Sequence, residues 1–94
     1  MFKKSFLSSW ITETDEGFSV NYGRDVAIYR EGNRRLTLSI DVGGKWATIF
    51  VGSGARWDDD PNNAIDAAAQ MMIIERVKKA LEWSGLQVSL FGGI

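Results

Sequence analysis

From Arg35 to Val42 the chain alternates without a break. Leu36, Leu38, Ile40 and Val42 fall on one side and Arg35, Thr37, Ser39 and Asp41 on the other. A repeat of this period is the signature of a strand with one buried and one wet face. Phe18, Val20 and Tyr22 alternate in the same way with Ser19 and Asn21, and Val26-Ala27-Ile28-Tyr29 predicts another strand after the turn Gly23-Arg24-Asp25. Asp15-Glu16-Gly17 reads as a turn as well, which makes Trp10 to Glu13 a further strand. Glu31-Gly32-Asn33-Arg34 and Val42-Gly43-Gly44-Lys45 suit tight hairpins, because Gly and Asn accept positive φ at little cost. The strands they join therefore pair antiparallel. Trp46 to Val51 is apolar at five of six positions. That density predicts burial on both faces, a central place in the sheet and a core position for Trp46.

Past residue 60 the period changes from two to that of a helix. Asp60-Pro61-Asn62-Asn63 carries helix-start residues, since Pro suits the first turn and Asp or Asn caps free amides. Ala64, Ala67, Ala68, Ala69 and Gln70 favour the helix. Ile65, Ala69, Met72, Ile73, Val77, Ala80 and Leu81 mark its inner face; Glu75, Arg76, Lys78, Lys79 and Glu82 lie largely outside. Ser84-Gly85 should end it, with Gly85 in the left-handed position after the cap. Leu86, Val88 and Leu90 then alternate as a last strand. The expected fold is α+β: an antiparallel meander of about five or six strands, one long helix packed on it in the second half, and a short final strand.

A chain of 94 residues forms one domain, residues 1–94, and 45% apolar content is ample for a core. It has no cysteine and no histidine. Disulfides are thereby excluded and a zinc staple is not expected, and the commonest general base and the thiol nucleophile are missing together. The serines lack a histidine to activate them, so an enzyme is not expected. The net charge of −1 supplies no global attraction to nucleic acid. Met1 to Ile11 carries lysines and apolar residues, but Ser5, Ser8 and Ser9 interrupt any signal-peptide core. No apolar run approaches the roughly 20 residues of a membrane-spanning helix. A soluble, cytoplasmic protein is expected.

Three patterns invite a chemical reading. Asp58, Asp60 and Asn62 have the spacing that opens a calcium loop, but its sixth position is Asn63 where Gly is needed and its twelfth is Ala69 where Glu is needed. The aspartates are better placed to cap the following helix or to form an acidic patch for a partner. Gly52-Ser53-Gly54 and Gly44-Lys45 resemble phosphate loops, yet Trp57, Ser39 and Trp46 stand at positions those motifs reserve for other residues. No cofactor or metal site is expected. Arg24, Arg30, Arg34, Arg35 and Lys45, with Tyr22, Tyr29 and Trp46, could form a surface for single-stranded nucleic acid, or a charge-mixed solvated face. Among the four tryptophans, Trp83 should cover the sheet edge. Trp57, beside the aspartates, is either a lid over the core or an exposed anchor.

The order of these motifs resembles a group of small immunity proteins from bacterial polymorphic-toxin systems. The stretch Ile28-Tyr29-Arg30-Glu31-Gly32-Asn33-Arg34-Arg35-Leu36-Thr37-Leu38 is similar to their opening hairpin. Arg56-Trp57-Asp58-Asp59-Asp60-Pro61 matches their Arg-Trp, acidic stretch and Pro. Ile74 to Leu81, leading to Gly85-Leu86-Gln87-Val88, matches their helix, glycine and last strand. The likeness runs from about Val26 to Leu90; the Asp run and Asn62-Asn63 depart from the pattern. It implies a non-enzymatic protein that neutralises a cognate toxin by stoichiometric binding. Trp57 would be the anchor and Asp58, Asp59 and Asp60 the charged rim, with Arg56 and Tyr29 also in the partner-binding set. The alternative is a small single-stranded nucleic-acid-binding module using the Arg and Tyr face. One helix leaves the opposite sheet face partly uncovered, which is compatible with a homodimer.

Overall fold

A hairpin-linked run of strands forms the first half of the chain. In the computed structural model, which describes residues 2–4, 11–14, 17–52 and 55–92, these are β1 (Phe2–Lys4), β2 (Ile11–Thr14), β3 (Phe18–Tyr22), β4 (Val26–Glu31), β5 (Arg34–Gly43) and β6 (Trp46–Val51). Each pairs antiparallel with the next. A small hairpin, β7 (Arg56–Trp57) and β8 (Asp60–Ala64), precedes the helix α1 (Ala67–Trp83) and the last strand β9 (Gln87–Gly92). The main sheet has seven strands in the order β1-β2-β3-β4-β5-β6-β9. The fold class is the predicted α+β, with β1 added at one edge. Trp10, Asp15 and Glu16 lie outside the described residues.

β9 joins β6 in parallel, with Ala47 beside Val88 and Phe50 beside Phe91. A parallel neighbour requires a crossover, and a helix of 17 residues spans about 25 Å at 1.5 Å per residue, enough to return the chain to the start of β6. The crossover ends as the sequence predicts. Ser84 is the cap and Gly85 takes φ +98°. The Leu86 amide donates to the Leu81 carbonyl and the Gly85 amide to that of Glu82, at 3.1 and 2.9 Å. This pair of bonds closes the last turn and requires the left-handed residue.

The start of the helix differs from the expectation. Asp60 to Ala64 is a strand, and the cap is Asp66, whose side chain accepts the Ala69 amide at 2.8 Å. The physical reason lies in the burial of Ile65. Its amide donates to the Ala55 carbonyl at 2.8 Å, and its side chain belongs to the core. The polar Asp and Asn run ahead of it has low helix propensity, whereas Ala67, Ala68 and Ala69 have the highest.

The buried stripe of α1 is Gln70, Ile73, Ile74, Val77, Ala80 and Leu81. It shares Ile73, Val77, Ala80 and Leu81 with the predicted face, gains Ile74 and loses Met72, which is exposed. Gln70 is a polar member of a core stripe because its side-chain amide donates to the Gly52 carbonyl, so no buried donor is left open. Against this stripe the sheet sets Phe18, Val20, Ala27, Tyr29, Leu36, Leu38, Ile40, Ala47 and Ile49.

Register then decides the other face. The β5–β6 loop is two residues long and pairs Gly43 with Trp46 and Val42 with Ala47. Val42 and Ala47 face the helix, so Trp46, Thr48 and Phe50 face away. The segment Trp46–Val51 is thus buried on one face only, and Trp46, expected in the core, is 61% exposed. Trp83, at the helix end, is also exposed.

Candidate interaction surface

The sequence-predicted site residues divide among four environments. Tyr29 is fully buried under the helix. Its ring lies 5.5 Å from Phe18 and stacks on Trp57 at 6.3 Å and 29°. Its hydroxyl donates to Glu31 Oε1 and accepts from Arg76 Nη1 at 2.7 Å, while the same Arg76 nitrogen also reaches Glu31 Oε1 at 2.9 Å. The guanidinium of Arg76 sits over the Phe18 ring at 4.7 Å. Arg76, expected outside the helix's inner face, therefore ties the helix to β3 and β4. Burial, then the hydrogen bond to Glu31, pushes the Tyr29 hydroxyl up to about 12, with Arg76 opposing. Tyr29 supports the surface above it and presents no atom to a partner in this conformation.

Trp57 is half-buried against the core. One side of it meets Tyr29 and the Arg34 guanidinium lies 5.4 Å from its ring centroid. It occupies the lid position that was one of the two sequence readings.

Asp58 closes an open edge. β6 pairs only with Ile40 to Gly43 of β5, which leaves the ladder groups of Arg35 and Thr37 facing that side without a strand. The Asp58 amide donates to the Arg35 carbonyl at 2.7 Å, and Asp58 Oδ1 accepts the Thr37 amide at 3.1 Å. One residue thus satisfies both groups that a neighbouring strand would have satisfied. Its Oδ2 accepts from Thr37 Oγ1 at 2.5 Å and from Arg35 Nε at 3.2 Å. Burial alone would raise this carboxyl, but the Thr37 hydroxyl and amide and the Arg35 guanidinium outweigh it and hold it below its ordinary 3.8.

A carboxyl lowered by folding stabilises the native state above its unfolded value and loses that contribution as pH falls through the folded one. Asp58→Asn is expected to cost about 1–2 kcal/mol at neutral pH. Most of that comes from the Thr37 bonds, because an ion pair with the half-exposed Arg35 is worth little. Thermal melts of the two proteins should differ at neutral pH and converge in strong acid. A gap that stays constant down the acid limb would show that the charge of Asp58 is not what the fold uses.

Asp60 is held by Asn63, whose side-chain amide lies 3.1 Å from both carboxylate oxygens; it is not the helix cap. Asp59 and Arg56 are exposed. The run Arg56 to Asp60 is therefore a hairpin that clips the edge of β5, with Asp59 left at its tip. Among the described residues no group of His, Cys, Asp or Glu is arranged to hold a metal ion.

The basic and aromatic residues considered for nucleic acid are split by the sheet. Arg30 and Arg35 are cross-strand partners on the outer face; Tyr29, one residue along from Arg30, points to the helix. Arg30 and Arg35 therefore do not share one surface with Tyr29.

A group that sequence reading missed lies on that outer face. Trp46, Phe50 and Phe91 are 61%, 43% and 68% exposed. Phe50 and Phe91 are register partners on β6 and β9, and their rings meet edge to face at 6.0 Å. The signal was available: with Val42 buried and a two-residue loop after it, Trp46 must point away from the core. No helix among the described residues is long and apolar enough to cross a membrane. No protein-family model, curated protein or solved structure matches the chain.

Proposed function

We propose that this chain is an immunity protein of the polymorphic-toxin type, which binds a bacterial toxin domain stoichiometrically in the cytoplasm and blocks it by docking. The observation that carries the docking is the outer sheet face, where Trp46, Phe50 and Phe91 stand in water. Aromatic anchors of this kind concentrate interface energy, and a contiguous exposed apolar patch marks an interaction surface. The class of partner rests on the motif order from Tyr29 to Val88. Trp57 is packed as a lid and Asp58 is tied to β5, which favours the sheet aromatics over Trp57 as anchors in this reading. Asp59 and Arg56 remain as candidate rim charges, whose part would be in steering and specificity.

The test is co-expression with the neighbouring reading frame. Growth arrest by that frame alone, relieved by this chain, is the expected result. A non-toxic neighbour, or arrest that this chain does not relieve, overturns the reading. Sedimentation of the isolated protein separates toxin docking from self-association, because a homodimer through the same face would sediment as one at micromolar concentration without a partner.

A further inference from the structure

Next to the β4–β5 hairpin the surface folds into a cleft of about 220 Å³ lined by Arg30, Gly32, Asn33, Arg34, Arg35 and Asp59. The lining holds three arginines and one aspartate, and with the Asp58 carboxylate 3.2 Å from Arg35 Nε the local formal charge is +1. Arg30 and Arg35 stand directly opposite each other across β4 and β5, an arrangement that costs stability when nothing lies between like charges. The fold does not supply a counterion for both. Among the described residues the Arg30 side chain makes no hydrogen bond or ion pair, and Asp59 pairs with none of the three arginines.

The cleft is nonetheless organised. Asp58, itself bonded to the Thr37 amide and hydroxyl, accepts from Arg35 Nε and so orients that guanidinium, whose two terminal nitrogens have no partner among the described residues. Arg34 is steadied over Trp57 at 5.4 Å. Donors held by their own neighbours lose little freedom when an anion arrives.

We infer that this cleft is an oxyanion site that takes a phosphate dianion, either free or as the terminal group of a phosphomonoester. Phosphate is favoured because a phosphomonoester carries about −1.5 to −2 at pH 7 and offers three acceptor oxygens to the facing Arg30 and Arg35, where a carboxylate offers two. Size sets the limit at the other end. The cleft is smaller than the about 300–1,000 Å³ of pockets that enclose a drug-sized ligand, so it holds the phosphate and leaves any organic group outside. Arginine is the side chain whose planar fork matches phosphate oxygens in pairs. The site is independent of toxin docking: the aromatic patch meets β5 at its other end, where Gly43 pairs with Trp46.

The test is an amide NMR titration of the full chain at constant ionic strength, with inorganic phosphate in one arm and phenyl phosphate in the other. Saturable shifts confined to Gly32, Asn33, Arg34, Arg35 and Asp59 are expected, and the tighter arm identifies the free or the esterified source. Arg30→Gln, an exposed change that leaves the rest of the spectrum in place, should weaken binding by about tenfold, as loss of a charge-assisted donor does. Asp59→Asn should tighten it. No shift in either arm, or an Arg30→Gln affinity equal to the parent's, overturns the inference. So does Arg30-dependent binding of a single-stranded oligonucleotide lacking terminal phosphates when both phosphate arms are silent, because the face would then read a strand of phosphodiesters.

Discussion

Tyr29→Ala is expected to remove about 3–5 kcal/mol of stability, the range for truncating a large buried aromatic. A domain of this size holds about 5–15 kcal/mol in all, so the variant should be near the edge of folding at 37 °C. Four contacts meet at this side chain: Phe18 and Trp57 on its ring, Glu31 and Arg76 on its hydroxyl. Truncation would empty the space under the Trp57 lid and remove one of the helix's two polar ties to β4, the other being Arg76 to Glu31. Tyr29→Phe separates the two effects. It keeps the ring, and Arg76 still reaches Glu31 at 2.9 Å, so its cost should be about 1 kcal/mol. Urea titrations of the three proteins check both values. Equal midpoints for the Ala and Phe variants would show that the hydroxyl network, and not ring packing, holds this corner.

The alkaline limb gives the same residue a second readout. A hydroxyl raised to about 12 contributes stability below its unfolded value near 10, and that contribution is lost as pH rises through the folded value. The parent should therefore weaken between about pH 10 and 12 more steeply than Tyr29→Phe. Because the ring is fully buried, Tyr29→Phe should leave partner binding unchanged at neutral pH, which distinguishes a supporting residue from a contact.

What the sequence could reveal follows the range of the interactions involved. Alternation along Leu36 to Val42, the Gly32-Asn33 turn and the Gly85 stop are local, and each is realised where the pattern predicts. Trp46 was legible in principle but was outweighed by the apolar density of its segment; only its pairing with Gly43 settles which face it joins. The helix start signalled by Asp60-Pro61-Asn62-Asn63 is displaced to Asp66 by Ile65, which must enter the core. Asp58 lay beyond any local rule. Its work depends on β5 being longer than the strand beside it, and the residues it serves, Arg35 and Thr37, lie more than twenty positions away in sequence. The parallel docking of β9 is equally a matter of where the helix delivers the chain.

Trp46→Ala carries the largest expected effect on binding. An exposed tryptophan at the centre of an interface costs at least about 2 kcal/mol when truncated, roughly 30-fold in affinity. In the free protein the same change should move stability by less than about 0.5 kcal/mol, since the ring contributes little to the core. Phe91→Ala should behave likewise, and it should couple to Phe50, whose ring it meets edge to face at 6.0 Å. Trp57→Ala is the contrasting case. As a lid packed on Tyr29 it should lower the melting temperature, and weaken binding only as far as it unfolds the protein. Co-expression and isothermal titration against the captured toxin domain measure both quantities. If Trp46→Ala and Phe91→Ala bind as the parent does while Asp59→Lys does not, the partner sits on the β7–β8 hairpin and the acidic tip is the anchor. The sheet aromatics would then be ordinary exposed apolar residues, which a folded protein tolerates one at a time; three on one face, two of them in contact, is the arrangement that argues for a partner.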